Sequence, residues 1–78
     1  MILELDLHGF TIPQAIYEIQ RTIVNNPTCR CIEAIHGFNN GCILKNFLKD
    51  KNNIHNKRVI KTLPVPFNEG RTLIFLKN

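Results

Sequence analysis

Two histidine-glycine motifs occupy corresponding places in the chain: Leu5–Gly9 reads LDLHG, and Ile35–Gly41 reads IHGFNNG. Each motif ends a strand-like run and is followed by a run with helical periodicity. Strands that alternate with helices predict an α/β fold, and a helix that crosses over between consecutive strands makes those strands parallel. The two motifs are therefore expected at the same edge of one small sheet.

The rest of the chain extends this pattern. Thr11 and Gln14 form a capping-box pattern, which predicts the start of an amphipathic helix over residues 12–25. We expect a single domain, 1–78, folded as a two-layer α/β sandwich in the order strand, helix, strand, helix, strand, strand, with a mixed sheet and parallel first two strands. The remaining predicted elements are strands at Ile2–His8, Arg30–His36, Arg58–Leu63 and Thr72–Lys77, a helix over residues 41–51, and a turn-rich connection at Pro64–Gly70.

Composition narrows the class of protein. The chain has 78 residues, 44% of them hydrophobic, and no apolar stretch approaches the roughly 18 residues that span a bilayer. Glu4 and Asp6 interrupt the first apolar run, so it does not resemble a signal peptide. We expect a cytoplasmic protein without a membrane partner. The spacing of Cys29 and Cys31, with one residue between them, is poor for zinc and favours reduced thiols.

The net charge of +4 is unevenly distributed. Residues 45–61 carry six basic side chains and one acidic one, whereas residues 1–44 have a net charge of −2. Such a basic run favours a polyanionic partner. A solvated lysine surface without any partner has the same signature, and charge alone leaves both interpretations open.

The shared sheet edge gives the two histidines a possible function. Parallel strands would bring His8 and His36 close together, and the glycine after each permits a sharp exit and close approach by a ligand. Backbone donors at the starts of both helices would point to the same place. This combination favours an anionic ligand and is suited to holding and cutting a phosphodiester.

The order and spacing of the motifs resemble the Smr (small MutS-related) domain family, whose pattern is LDLHG, then HGxGxG, then a terminal strand after a glycine-rich turn. The resemblance covers essentially the whole chain. It implies an α/β sandwich that acts as a DNA or RNA endonuclease, either appended to mismatch-repair-like and ribosome-rescue proteins or standing alone. Phe38 and Asn39 stand where the family commonly has lysine and glycine.

The resemblance also implies site residues. Asp6, His8 and His36 are the candidate catalytic residues: Asp6 would hold the tautomer of His8, and the two histidines would act as base and acid. No cofactor or structural metal is required in this interpretation; the alternative is a divalent cation, Mg²⁺ or Mn²⁺, held by Asp6. The two motifs and the basic run together supply the candidate nucleic-acid-binding residues, which are Gly9, Gly37, Phe38, Asn39, Gly41, Lys45, Lys49, Lys57 and Arg58.

We therefore expect an Smr-type endonuclease that cleaves phosphodiester bonds in RNA or in structured or branched DNA. One alternative is a nucleic-acid-binding module that has lost turnover through its altered second loop. Another is a small protein-interaction domain whose sheet edge docks on a larger protein. The expected partner is nucleic acid, in the context of a larger protein or the ribosome. The sequence leaves open whether Phe38 packs inward or stacks on a base.

Overall fold

The sheet has the strand order β1-β2-β4-β3, with β1 parallel to β2 and the other pairs antiparallel. The computed structural model describes residues 2–37 and 41–77. This topology confirms the predicted α/β fold with a mixed sheet and parallel first strands. The elements in chain order are β1 (Ile2–Asp6), α1 (Ile12–Asn25), β2 (Cys31–Ile35), α2 (Gly41–Leu48), a 3₁₀ helix (Lys51–Ile54), β3 (Val59–Val65) and β4 (Asn68–Leu76).

Helix α1 begins and ends where the sequence pattern predicts. The Thr11 hydroxyl accepts a hydrogen bond from the Gln14 backbone N–H, and the Gln14 side chain accepts one from the Thr11 N–H. This reciprocal capping box satisfies backbone donors that the first turn cannot pair internally. The buried stripe of α1 is Ala15, Ile19 and Ile23.

Both helices pack on one face of the sheet. A single hydrophobic cluster joins α1 to Leu44 and Leu48 of α2 and to Ile32 and Ile74 in the central strands. The opposite face carries charged side chains, among them Arg71, whose Nη1 donates to carboxylate oxygens of Glu4 and Glu33. The molecule is therefore the two-layer sandwich that the alternating elements predict.

Helix α2 is shorter than predicted, because it ends at Leu48 rather than continuing to Lys51. The Asp50 carboxylate accepts a hydrogen bond from the Asn52 N–H and starts a separate 3₁₀ helix. The Asn53 side chain donates to the Phe47 carbonyl. These local side-chain bonds compete with continuation of the α-helix and end it.

The predicted connection at Pro64–Gly70 is wrong in extent. Strand β3 continues through Pro64 to Val65, β4 already begins at Asn68, and only Pro66 and Phe67 lie between them. Proline is tolerated in β3 because β3 is an edge strand of the sheet, where a missing ladder donor costs little. The last two strands therefore form a tight hairpin, whose turn lies toward the edge of the sheet formed by the carboxyl ends of β1 and β2.

At the opposite ends of the strands, Arg58 connects the end of α1, the segment before β2 and the segment after β4. Its guanidinium donates to the carbonyls of Ile23 at 2.9 Å and Asn26 at 3.4 Å, both at the end of α1. It also donates to Cys29 at 2.7 Å and to Lys77 at 2.9 Å. A cation at a helix C-terminus additionally complements the helix dipole.

We expect Arg58→Met to lower the free energy of unfolding by about 2–3 kcal/mol, because each hydrogen bond to a charged group contributes about 1.5–3 kcal/mol and this site is only partly buried. Urea denaturation measures the change. Lys57→Met, at the neighbouring exposed position, is the control and should change stability by less than about 0.5 kcal/mol. Equal destabilisation by both variants would contradict this account of Arg58.

Candidate functional site

The first histidine motif forms a tight turn that leaves His8 at the surface. Leu7 is fully buried, its N–H donates to the Ile35 carbonyl at 2.7 Å, and its carbonyl accepts from the Phe10 N–H at 3.0 Å. Gly9 has φ +80°, a conformation that glycine adopts without strain. Because Leu7 anchors the turn, the sheet determines the position of the His8 backbone, from which the side chain projects into solvent.

Asp6 and His8 form a surface pair. One carboxylate oxygen of Asp6 accepts the His8 backbone N–H at 3.0 Å, and the same oxygen lies 3.6 Å from His8 Nδ1. The side chains are 76% exposed for His8 and 67% exposed for Asp6. A carboxylate facing Nδ1 favours the tautomer with the proton on that nitrogen, which leaves Nε2 as the basic nitrogen.

His36, by contrast, is buried, with 2% of its surface exposed. Its Nδ1 lies 3.2 Å from the Gly37 carbonyl and its Nε2 lies 2.9 Å from the Thr72 hydroxyl. Because a carbonyl only accepts hydrogen bonds, Nδ1 carries the proton and Nε2 accepts from Thr72. Burial lowers the pKa of His36 and nearby Lys45 lowers it further, while the bond to Gly37 raises it.

The second histidine motif is joined to the start of β4 through the Gly70 carbonyl. This oxygen accepts from the backbone N–H groups of both His36, at 2.9 Å, and Gly37, at 3.0 Å. Gly37 has φ +78°, and a Cβ at this position would lie 3.9 Å from the His8 Cβ. The structure therefore brings both histidine-glycine motifs to one edge of the sheet.

The N-terminus of α1 offers few backbone donors to a ligand, contrary to what the sequence suggests. The capping box occupies the N–H of Gln14, Pro13 has no N–H, and the Ala15 N–H donates to the Thr11 carbonyl. The expectation that this helix start contributes several amides to an anion site is therefore wrong.

A basic groove leads away from this edge along strand β3. It consists of three adjoining clefts. Lys49 and Thr62 line both the first and the second cleft, and Lys51 lines both the second and the third. Lys45 and Thr72 line the end nearest His36. Lys45 also lies 3.6 Å from a carboxylate oxygen of Glu69 on β4. The lysines of the groove are Lys45, Lys49, Lys51, Lys57 and Lys61.

The structure brings some of the predicted site residues together and separates others. Asp6, His8, His36 and Lys45 lie at one edge, with Gly9 and Gly37 in the turns beside them. Lys49 and Lys57 lie farther along the basic groove, and Gly41 begins α2. Arg58 lies at the opposite edge with its guanidinium bound to four carbonyls. Phe38 and Asn39 lie outside the described residues.

Sequence reasoning missed Thr72 and Gly70, the β4 partners of the second motif. Thr72 holds the His36 ring, and Gly70 holds the backbone of the same motif. Gly70 belongs to the glycine-rich turn of the resemblance, but nothing in the local pattern of Thr72 distinguishes it from an ordinary buried strand residue. Its role depends on the antiparallel pairing of β2 with β4.

Within residues 2–37 and 41–77, which the structure describes, no group of three or more histidine, cysteine or acidic side chains is placed to hold a metal ion. None of the helices described there is long and apolar enough to cross a membrane.

Comparison with solved structures agrees with the strand order and helix packing of this chain. The sequence matches no protein-family model and no curated protein. Among solved structures, the chain is similar to the Smr domain of Thermus thermophilus MutS2, with a TM-score of 0.74 and 21% sequence identity over 97% of this chain and 99% of that one. The chain therefore has the Smr-domain fold, as the two motifs predict.

The lowered pKa of His36 makes stability depend on pH. The unfolded chain binds a proton at this histidine near pH 6.5, whereas the folded protein binds it only at lower pH. The His36 contribution to the free energy of unfolding is therefore constant above about pH 6.5 and falls as the pH decreases below it. Urea denaturation at several pH values between about 7.5 and about 5.5 should show this decrease.

His36→Gln should flatten the decrease, because glutamine does not titrate. His55→Asn replaces an exposed histidine whose left-handed backbone asparagine tolerates, so this control should retain the wild-type pH dependence. An unchanged slope in His36→Gln would show that other groups cause the effect.

Proposed function

We propose that this chain is a nucleic-acid-binding domain of the Smr type that cleaves phosphodiester bonds at the edge where β1 and β2 end. The exposed Asp6–His8 pair carries the proposal. It combines a basic imidazole nitrogen with a carboxylate that orients the ring, which is the arrangement that general base catalysis requires. The implied endonuclease activity of the Smr resemblance supports the same assignment.

In this mechanism His8 Nε2 removes a proton from the attacking hydroxyl, which is the ribose 2′-OH in RNA or a water molecule. The oxygen attacks phosphorus, the bond to the leaving oxygen breaks, and solvent returns a proton to that oxygen. Asp6 stabilises the imidazolium that forms beside it. Lys45, at the near end of the basic groove, supplies positive charge for the phosphorane oxygens.

His36 has a different role in this proposal. Its ring is buried, and both nitrogens are engaged with Gly37 and Thr72, so it cannot exchange protons with a substrate unless these bonds break. We assign it to positioning: it fixes the second motif against β4 and so keeps Gly37 beside His8. This assignment replaces the base-and-acid pair expected from the sequence.

The burial of His36 also favours the second candidate function, a nucleic-acid-binding module without turnover. With His36 buried, the described residues offer one exposed histidine at this edge, and a site with one exposed histidine is a weaker catalyst than a histidine pair. The basic groove would still bind the phosphate backbone.

We expect His8→Gln and Asp6→Asn to lower the rate of cleavage by roughly a hundredfold to ten-thousandfold, the usual contribution of general acid–base catalysis. Affinity should change little, because phosphate contacts dominate binding to a polyanion. The measurement is a gel assay on labelled RNA, single-stranded DNA and duplex DNA, with and without a chelator, together with fluorescence anisotropy for binding.

Glu18→Gln, which changes a carboxylate on the outer surface of α1, is the matched control and should cleave at the wild-type rate. Full activity in Asp6→Asn would exclude the proposed centre. If the wild-type chain binds nucleic acid without cutting it, the binding module is the correct function. If it binds none of the three nucleic acids, the alternative that is left is the small protein-interaction domain.

The basic groove makes a second prediction. Lys45→Gln combined with Lys49→Gln should lower the slope of log affinity against log salt by about two for duplex DNA and by slightly less for single strands, because two phosphate contacts are lost. The matched control is Arg30→Gln with Lys77→Gln, which removes the same charge from outside the groove. The same slope change in both double variants would show that only net charge matters.

A further inference from the structure

Phe67 is the most exposed of the large hydrophobic side chains that the structure describes, with a relative exposure of 109%. It lies at the tip of the β3–β4 hairpin, between Val65 and Asn68, which pair with each other. A side chain in this position adds nothing to the hydrophobic core. Burying so large an aromatic surface would be favourable, so this residue is suited to contact with another molecule.

The backbone conformation at Phe67 is one that an aromatic residue rarely adopts. Its φ is +62°, in the left-handed region that bulky side chains rarely adopt. A turn with proline first and a positive φ second is typical of type II, in which glycine or asparagine ordinarily takes the second place. An aromatic residue held here despite the strain is an outlier of the kind that clusters at functional sites.

The hairpin tip belongs to the edge that carries the candidate site. Three residues beyond Phe67, the Gly70 carbonyl binds the backbone of His36 and Gly37. Two residues beyond it, Glu69 pairs with Lys45 at the near end of the basic groove. A nucleic-acid strand whose phosphates follow that groove past Lys45 would therefore reach the β3–β4 hairpin, at the same end of the sheet as the Asp6–His8 pair.

The chemistry of this neighbourhood favours one kind of partner. The exposed ring lies on the same hairpin as Glu69, which contacts the first lysine of the basic groove. An aromatic ring and a lysine-lined groove on one surface match a single-stranded nucleic acid, which has exposed base faces and a charged backbone. Duplex bases are already stacked on one another and offer no free face along the helix. An apolar protein partner would match the ring but not the lysines.

We propose that Phe67 is a base-stacking residue that gives this domain a preference for nucleic acid with unpaired bases. The inference rests on the proposed function, since it requires that nucleic acid binds at this edge. Stacking positions the strand and takes no part in the chemical step. Phe67 thus selects the substrate, while Asp6 and His8 act on it.

The test compares Phe67→Asn with the wild-type 78-residue chain. Asparagine tolerates the left-handed backbone, so the variant should fold and should melt at the same or a higher temperature. Its affinity for a labelled oligouridylate should fall about 5- to 150-fold, which corresponds to the loss of one stacked base. Its affinity for duplex DNA, and for the same oligonucleotide with abasic residues, should equal that of the wild type.

Two further variants sharpen the test. Phe67→Trp introduces the only tryptophan into a chain that has none, and oligouridylate should quench its fluorescence if bases stack on the ring. Tyr17→Gln removes an exposed aromatic side chain, 67% accessible, from α1 and should leave oligouridylate affinity unchanged.

The outcomes separate this inference from the proposed function. If the wild-type chain binds none of the nucleic acids, both fail. If the wild type binds but Phe67→Asn binds oligouridylate equally tightly, or loses as much affinity for the abasic strand, only the stacking role is overturned. A wild-type dimer that Phe67→Asn converts to a monomer, with unchanged oligouridylate affinity, would assign the ring to contact between copies and also overturn it.

Discussion

The parallel pairing of β1 with β2 is the constraint on which the site depends. In this register Asp6 lies opposite Ile35, so the two turns that follow leave the sheet side by side. The Gly70 carbonyl then joins the second turn to β4 through two backbone hydrogen bonds. The backbone of the exposed Asp6–His8 pair is held by these contacts, because the turn that carries the pair begins at a buried residue of the sheet.

The two histidines have similar sequence surroundings and opposite environments. His8 follows buried Leu7 and projects into solvent beside Asp6, whereas His36 is enclosed beside Thr72. Burial disfavours the charged form of an imidazole, and the two hydrogen bonds of His36 satisfy its neutral form. The same residue type is therefore exposed beside a carboxylate in one motif and buried with both ring nitrogens engaged in the other, which is why only His8 is proposed to react.

The basic residues of the run over positions 45–61 also fall into two different environments. Arg58 is part of the run that favours a polyanionic partner, yet four carbonyls occupy its guanidinium and make it a connection within the fold. Lysines of the same run line a groove, and all of them except the half-buried Lys45 are exposed. The difference follows from side-chain chemistry, since a planar guanidinium with five donors suits a cluster of carbonyls better than an ammonium does.

The sequence by itself determined the order of the strands and α-helices and the bounds of α1, because periodicity and capping are local properties. It also predicted both histidine-glycine motifs at one edge, because a strand-helix-strand unit crosses over with one handedness and makes its strands parallel. The prediction missed the end of α2, although the side-chain bonds of Asp50 and Asn53 that set it are local, and it missed the length of the last hairpin, which depends on the edge position of β3. The burial of His36, the exposure of Phe67 and the role of Thr72 were decided only by tertiary structure. The burial of His36 and the role of Thr72 depend on the pairing of β2 with β4, between residues about 30 or more positions apart in the chain, whereas the exposure of Phe67 depends on where the β3–β4 hairpin turns.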